Sequence, residues 1–190
     1  ANTTGAENTA VGKSALDSNT TGTANTAVGI LCLDENTTGN YNTGIGKQAL
    51  GNNTTAGNNT AVGFWSLLNN TTGANNTATG YQALKANTTG SQNVGVGGAA
   101  LRDVTTGSDN TALGYLALYS TTTAANNTAV GRSALACNIT GASNTAVGRQ
   151  ALSETTTGAE NVGIGYQAAS NSVNLTTGRR NVIIGTFART

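Results

Sequence analysis

Histidine, proline and methionine are absent from the 190-residue chain, and cysteine occurs only twice. Without histidine the chain lacks the commonest general base and the commonest metal ligand. Charged residues amount to 9% and nearly cancel, leaving a net charge of +1. That balance excludes a basic nucleic-acid binder and an acidic tail. There is no run of about 18 apolar residues, so no helical membrane span is expected. Leu, Ile, Val and Phe together supply only 17% of the residues. Such scarcity indicates disorder when joined to a high net charge, and here the charge is missing. No secretion signal or initiator methionine opens the chain. It begins inside a repeat, as expected of a processed product or of a piece of something longer.

What the chain has instead is Thr (35), Asn (26) and Gly (26), together 46% of the residues. They are arranged with a fixed period. The word N-T-A-V-G begins at Asn8, Asn25 and Asn59, and its leading Asn recurs at 42, 76, 93, 110, 127, 144, 161 and 181. Each step is 17 residues except the last, which is 20, with the three additional residues near Ser172–Asn174. The unit reads N-T-T-G-x-x-N-T-A-V-G-x-x-A-L-x-x. A period of 17 is too short for paired-helix repeats or propeller blades, and the Asn, Thr and Gly content opposes helix. It suits an all-β, parallel β-solenoid, a β-roll of about eleven turns in a single domain over residues 1–190. Two short strands are expected per turn, N-T-A-V-G and N-T-T-G, with Gly and Asn at the corners. At about 4.8 Å per turn the rod would be roughly 50 Å long.

Reading down the repeat assigns inside and outside. The Val11–Ile184 column and the Thr9–Val182 column two residues before it share a face by strand alternation, and their apolar and β-branched character assigns them to the core. The column from Leu16 to Leu152 is the third apolar stack, ending at Ala169 and Arg189. The intervening column, Ala10, Ala27, Gly44, Ala61, Ala78, Gly95, Ala112, Ala129, Ala146 and Gly163, should then point outward. A small, uncharged stripe of that length is expected to be a chain–chain interface. Asn8–Asn181 and Gly12–Gly185 never vary. Stacked Asn side chains can bond along the axis, and Gly permits positive φ or close backbone approach.

The clearest words, Val94-Gly-Val-Gly97, Val162-Gly-Ile-Gly165 and Val182-Ile-Ile-Gly185, resemble the S-V-A-I-G repeat of YadA-like trimeric autotransporter adhesin heads. The fuller unit, Asn76-Thr-Ala-Thr-Gly-Tyr-Gln-Ala-Leu84 with Asn87-Thr-Thr-Gly90, resembles repeats of phage tail-fibre-type proteins. The resemblance implies a left-handed β-roll, a homotrimer and an extracellular binding fibre on a cell or virion surface. The 17-residue unit is longer than that of the adhesin heads. No catalytic residue carries over, and no cofactor is implied.

Candidate chemistry is sparse. Eight carboxylates scatter over different columns, and no donor cluster with metal-ligand spacing repeats. An enzyme is therefore not expected. Cys32 and Cys137 lie about six turns apart, roughly 29 Å, too far for a disulfide. Cys32 replaces Ala beside the Leu stack and should be buried, whereas Cys137 falls in a variable turn. N-x-T sites at Asn2, Asn19, Asn36, Asn70, Asn138 and Asn174 are potential glycosylation acceptors. The positions after the invariant Gly carry aromatics and bases. Phe64, Trp65 and Tyr81, with Tyr115 and Tyr119 beyond, form the candidate surface for a glycan or protein of a host. The leading functional expectation is a structural and adhesive fibre segment. A self-assembling end-to-end filament is the first alternative. The second is an ice-binding solenoid using its Thr ranks, one from Thr3, Thr20 and Thr37 to Thr176 and the adjacent one from Thr4 to Thr177, a resemblance to insect and bacterial antifreeze solenoids.

Overall fold

The structure is a computed structural model and describes residues 2–170 and 175–187. The extra three residues near Ser172–Asn174, the acceptor site at Asn174 and the end of the Leu column at Arg189 lie outside the described residues. The period of 17 is realised as a β-solenoid. Eleven three-residue strands run from β1 (Thr9–Val11) through β2 (Thr26–Val28) to β10 (Val162–Ile164) and β11 (Val182–Ile184). They form one parallel sheet in chain order. The register is set by the repeat itself, with Thr9 opposite Thr26, Ala10 opposite Ala27 and Val11 opposite Val28, and so on along the rod. It is recovered across the 20-residue step, where Val162 pairs with Val182.

Each turn has one strand, not two. The N-T-T-G word forms bends, because three consecutive N–H groups point the same way along the axis. The amides of Thr3, Thr4 and Gly5 all converge on the Thr20 carbonyl, at 2.9, 3.1 and 3.3 Å. In a strand they would alternate sides. The remaining arc also bonds from turn to turn without strand geometry, as in Leu67 N–H to Ala83 O (3.0 Å) and Thr71 N–H to Thr88 O (2.9 Å). The chain closes this arc with three left-handed, non-glycine residues per turn, for example Asn58 (φ 59), Trp65 (φ 59) and Leu67 (φ 48). Each such residue costs roughly 1–3 kcal/mol and persists only where its surroundings over-determine it. For the Leu column the surroundings are the core itself. The invariant Gly after the strand is required twice over. Gly63 has φ 133, and a Cβ there would stand 2.6 Å from the Gly80 carbonyl oxygen.

The strand faces are inverted relative to the sequence expectation. The Leu column is inside, with Leu33 through Leu152 fully buried and Ala169 continuing the stack. Across from it, however, the turns that carry a Leu leave room only for Ala or Gly, and Ile183 enters the column only on the last turn, after the stack has narrowed to Ala169. Ala27, Gly44, Ala61, Ala78, Gly95, Ala112, Ala129, Ala146 and Gly163 are buried, and Ala10 alone, on the first described turn, is exposed. Space explains it: a Cβ on Gly95 would already lie 3.2 Å from Leu84 Cδ1, and one on Gly163 2.6 Å from Leu152 Cγ. Opposite a Leu, a Thr or Val side chain pointing inward would have no room. The Thr9 and Val11 columns therefore face outward. The small-residue stripe cannot serve as a chain–chain interface, and Ala61→Arg would break a turn rather than split an assembly.

Two Asn stacks fill the rest of the core. In the invariant column, Asn42 Oδ1 accepts the backbone N–H of Asn59 (3.0 Å) while Asn42 Nδ2 donates to the Ala56 carbonyl (2.8 Å). The same pair of bonds recurs at Asn93, to Asn110 N–H (3.0 Å) and the Gly107 carbonyl (2.8 Å). Only Asn has an acceptor and a donor at this reach, which accounts for its invariance. The second stack is not evident from the sequence. Asn19, Asn36, Asn53, Asn70 and Asn87 each donate from Nδ2 to Oδ1 of the Asn one turn earlier, at 2.8–3.1 Å.

Candidate functional site

Two surfaces stand out once the core is assigned. The first is the edge just after the invariant Gly, where the backbone turns sharply and successive side chains stack one turn above another. Here Phe64, Trp65 and Tyr81 come together as the spacing of 17 requires. The Phe64 and Trp65 rings lie 4.4 Å apart, and Phe64 stacks on Tyr81 at 5.8 Å with an interplanar angle of 5°. Lys85 Nζ sits 4.6 Å from the Trp65 ring centroid and Lys47 Nζ 5.7 Å from that of Phe64. Trp65 Nε1 donates to Gln48 Oε1 at 2.8 Å. Both faces of the cluster are thus largely engaged internally, and Tyr81, at 56% exposure, presents the free ring surface.

Tyr115 and Tyr119 are not part of this cluster. Tyr115 leans over Gly98, which has no side chain to resist it. Tyr119 stacks under the Arg102 guanidinium at 3.9 Å, and Arg102 is in turn held by both Asp103 oxygens at 2.7 and 2.9 Å. Between the two groups runs a polar groove of about 320 Å³ lined by Asn69, Gln82, Lys85, Ala86, Arg102 and Asp103. A further pair, Tyr166 and Phe187, meets edge-to-face at 5.1 Å with Arg149 beside it, bonded to the Tyr166 hydroxyl. The same repeat positions contain Tyr166 and Phe187, so the column alignment could have found them.

The second surface is the outward face of the sheet. Because Ala and Gly point in, the flanking columns present two parallel ranks to solvent along the whole rod. One is Thr or Val from Thr9 to Val182. The other is Val, Ile, Thr or Leu from Val11 to Ile184. Neither rank contains a charged residue. Val11 is 57% exposed, Ile45 42%, Leu113 49% and Ile164 39%. The Thr rank proposed from the sequence at Thr3, Thr20 and Thr37 differs, since its hydroxyls are already spent on carbonyls one turn away, as Thr20 Oγ1 to Thr37 O at 2.9 Å. Its neighbour rank, containing Thr4 and Thr21, is exposed.

Titratable chemistry is slight. No group of three or more metal-ligating side chains gathers among the described residues. Burial raises the Asp34 carboxyl above its ordinary value, and the nearby Glu35 and Asp17 charges add to that. The Arg180 hydrogen bond to Glu160, 2.7 Å long, lowers the Glu160 carboxyl. Cys32 is buried as expected, and desolvation pushes its thiol up to about 12. Cys137 is exposed. The acceptor positions Asn19, Asn36, Asn70 and Asn138 are fully enclosed, so they are closed to glycosylation in the folded chain. Asn2 is exposed.

No family model, no curated protein and no solved structure matches the chain. The fold defines it as a β-solenoid repeat protein. No helix among the described residues is long and apolar enough to cross a membrane.

Proposed function

We propose that the chain is a non-enzymatic, stiff structural segment of an extracellular fibre that serves surface or host recognition. One observation carries the reading, the unbroken bonding of each turn to the next. The invariant Asn passes a side-chain bond to the following turn at every step from Asn8 to Asn25 (2.9 Å) through Asn161 to Asn181 (3.1 Å). Backbone bonds of the arc and the sheet run parallel to it. Bending the rod would stretch several of these bonds in every turn, so a short genetic unit yields a long rigid element. The Phe64–Trp65–Tyr81 cluster and its polar groove give that element a place to contact a glycan or protein of a host. A trimer, as the adhesin resemblance implies, would have to form without the Ala/Gly stripe, which is buried.

Gold-labelled antibodies against the purified chain, applied to the source cells or particles, test the proposal. Label along surface filaments is the expected result. Label confined to the cell interior overturns it.

A further inference from the structure

We propose that the outward face of the sheet is an ice-binding face, with crystalline water as its partner. Solvated strand faces ordinarily carry polar and charged residues. Here two ranks run the length of the rod and hold nothing but Thr, Val, Ile and, at position 113, Leu. The exposed Thr4–Thr177 rank on the bends is equally free of charge, but it contains no apolar residue. The charged residues lie on other columns, such as Lys47, Lys85, Arg102, Asp103 and Glu160. Exposed apolar stretches of this extent mark interaction sites rather than neutral surface.

Three properties of the face select the partner. The first is order. Each strand pairs with the next without a slip, from Thr9–Thr26 to Val162–Val182. The outward methyls and hydroxyls therefore repeat every turn, at about 4.8 Å, with the two ranks about 7 Å apart. Side chains branched at Cβ hold few rotamers, so the repeat extends from backbone to methyl. The second is area. A face about 50 Å long and about 10 Å wide offers roughly 500 Å², and two copies would bury roughly 1,000 Å², below the size of stable protein interfaces. The third is chemistry. A bilayer surface is met by bulky apolar residues beside Lys and Arg, and this face has no cation. A solid whose own atoms repeat in two directions needs neither large area nor pockets. Thr hydroxyls can enter its hydrogen-bond network while the methyl groups of Thr, Val and Ile occupy the hollows of its surface. Each contact is small, and the periodicity lets them form together along the rod.

The inference stands apart from the fibre reading, because a free rod would carry the same face. The test uses the purified full chain, thermal hysteresis and partition into a growing ice hemisphere. The parent should open a hysteresis gap and enter the ice. Thr60→Lys and Thr128→Lys, each in the outward rank, should abolish both while far-UV circular dichroism and melting stay at parent values. Thr72→Lys, on an exposed bend outside the sheet, should leave both intact. Thr60→Ser, which removes one methyl and keeps the hydroxyl, should reduce the gap without altering the fold. A parent without hysteresis or ice partition overturns the proposal, as does equal loss from Thr72→Lys and Thr60→Lys. It is also overturned if sedimentation shows a dimer or trimer that Thr60→Lys dissociates, since the face would then belong to a second copy. Surface labelling of the source cells comes out independently of all these results.

Discussion

Restoring the interrupted Asn stack should reveal a coupling energy between two buried positions. The second stack runs unbroken up to Asn87, whose Nδ2 donates to Asn70 Oδ1 at 2.8 Å and to the Gly90 carbonyl at 2.9 Å. The next turn has Val104, and the Asn87 Oδ1 is buried without a partner. One turn further Thr121 donates to the Asn138 carbonyl at 3.1 Å. Val104→Asn alone would supply a donor to Asn87. Its own Oδ1 would then face Thr121, whose hydroxyl is committed, so the orphan acceptor only moves by one turn. The lost Val burial costs about 1.5–2 kcal/mol, and the single variant should be less stable than the parent. Thr121→Asn alone gives an amide that meets the Val104 methyls. With both changes, the new amide at position 121 donates to the one at position 104, and that one donates to Asn87. The chain of side-chain bonds then reaches Asn138. An orphaned buried acceptor costs about 1–3 kcal/mol, so the favourable coupling in a double-mutant cycle should be of that size. Thermal unfolding reads it, because about 1 kcal/mol shifts the midpoint by roughly 2–4 °C in a chain of this length. Additivity within about 0.5 kcal/mol would show that the orphan oxygen carries no penalty and would refute the argument.

Three further outcomes follow from the core and the charges. Gly44→Ala should destabilise by about 1–3 kcal/mol through overpacking, since its Cβ would lie 2.5 Å from Cys32 Sγ; Cys32→Ala should relieve most of that loss, and equal melting shifts from Gly44→Ala with and without Cys32 would contradict it. A thiol reagent should modify Cys137 alone in the native chain and both cysteines after denaturation, because the Cys32 thiol is buried and raised to about 12; rapid native labelling of two thiols would show that the turn opens. Asp34 has a raised carboxyl in the fold, so it contributes stability below its unfolded value of about 3.9, and that contribution is lost as pH rises through the folded value. Asp34→Asn should therefore raise the melting temperature at pH 7 and change it little at pH 3, and a uniform shift at both would point to some other cause.

The period, the parallel register and the buried Leu stack are all legible in the sequence, because each depends on a residue recurring at one fixed spacing. Which side of the strand faces in is not. Apolarity assigns Val28 and Ile45 to the core, whereas volume decides the matter: Leu33 and Leu50 already fill a narrow interior, and Ala27 and Gly44 are what fits beside them. The β-branched residues are present for strand geometry and for the outer face, not for burial. N-T-T-G reads as a strand because its composition suits one, and nothing in single residues announces that three amides will share a carbonyl. The second Asn stack is hidden for a related reason. Its column admits Val104, Thr121, Thr155 and Leu175, so it looks variable, although every one of these is enclosed. The aromatic cluster emerges from column alignment, and its engagement by Lys47, Lys85 and Gln48 requires the third dimension.

The one-strand turn with its fixed register also makes length a countable property. A duplicated stretch of 17 residues places every Asn, Gly and Leu above its predecessor and extends the rod by one turn, about 4.8 Å. Within a 17-residue turn, a deletion of another size would offset each stack beyond it, whereas the 20-residue step keeps the register with three residues to spare. Recombination between neighbouring copies of the repeat in the gene would change the rod by whole turns and leave its cross-section as it was. Such a molecule can serve as a ruler whose length is set by counting repeats, with its surface rewritten only at the positions that point away from the core.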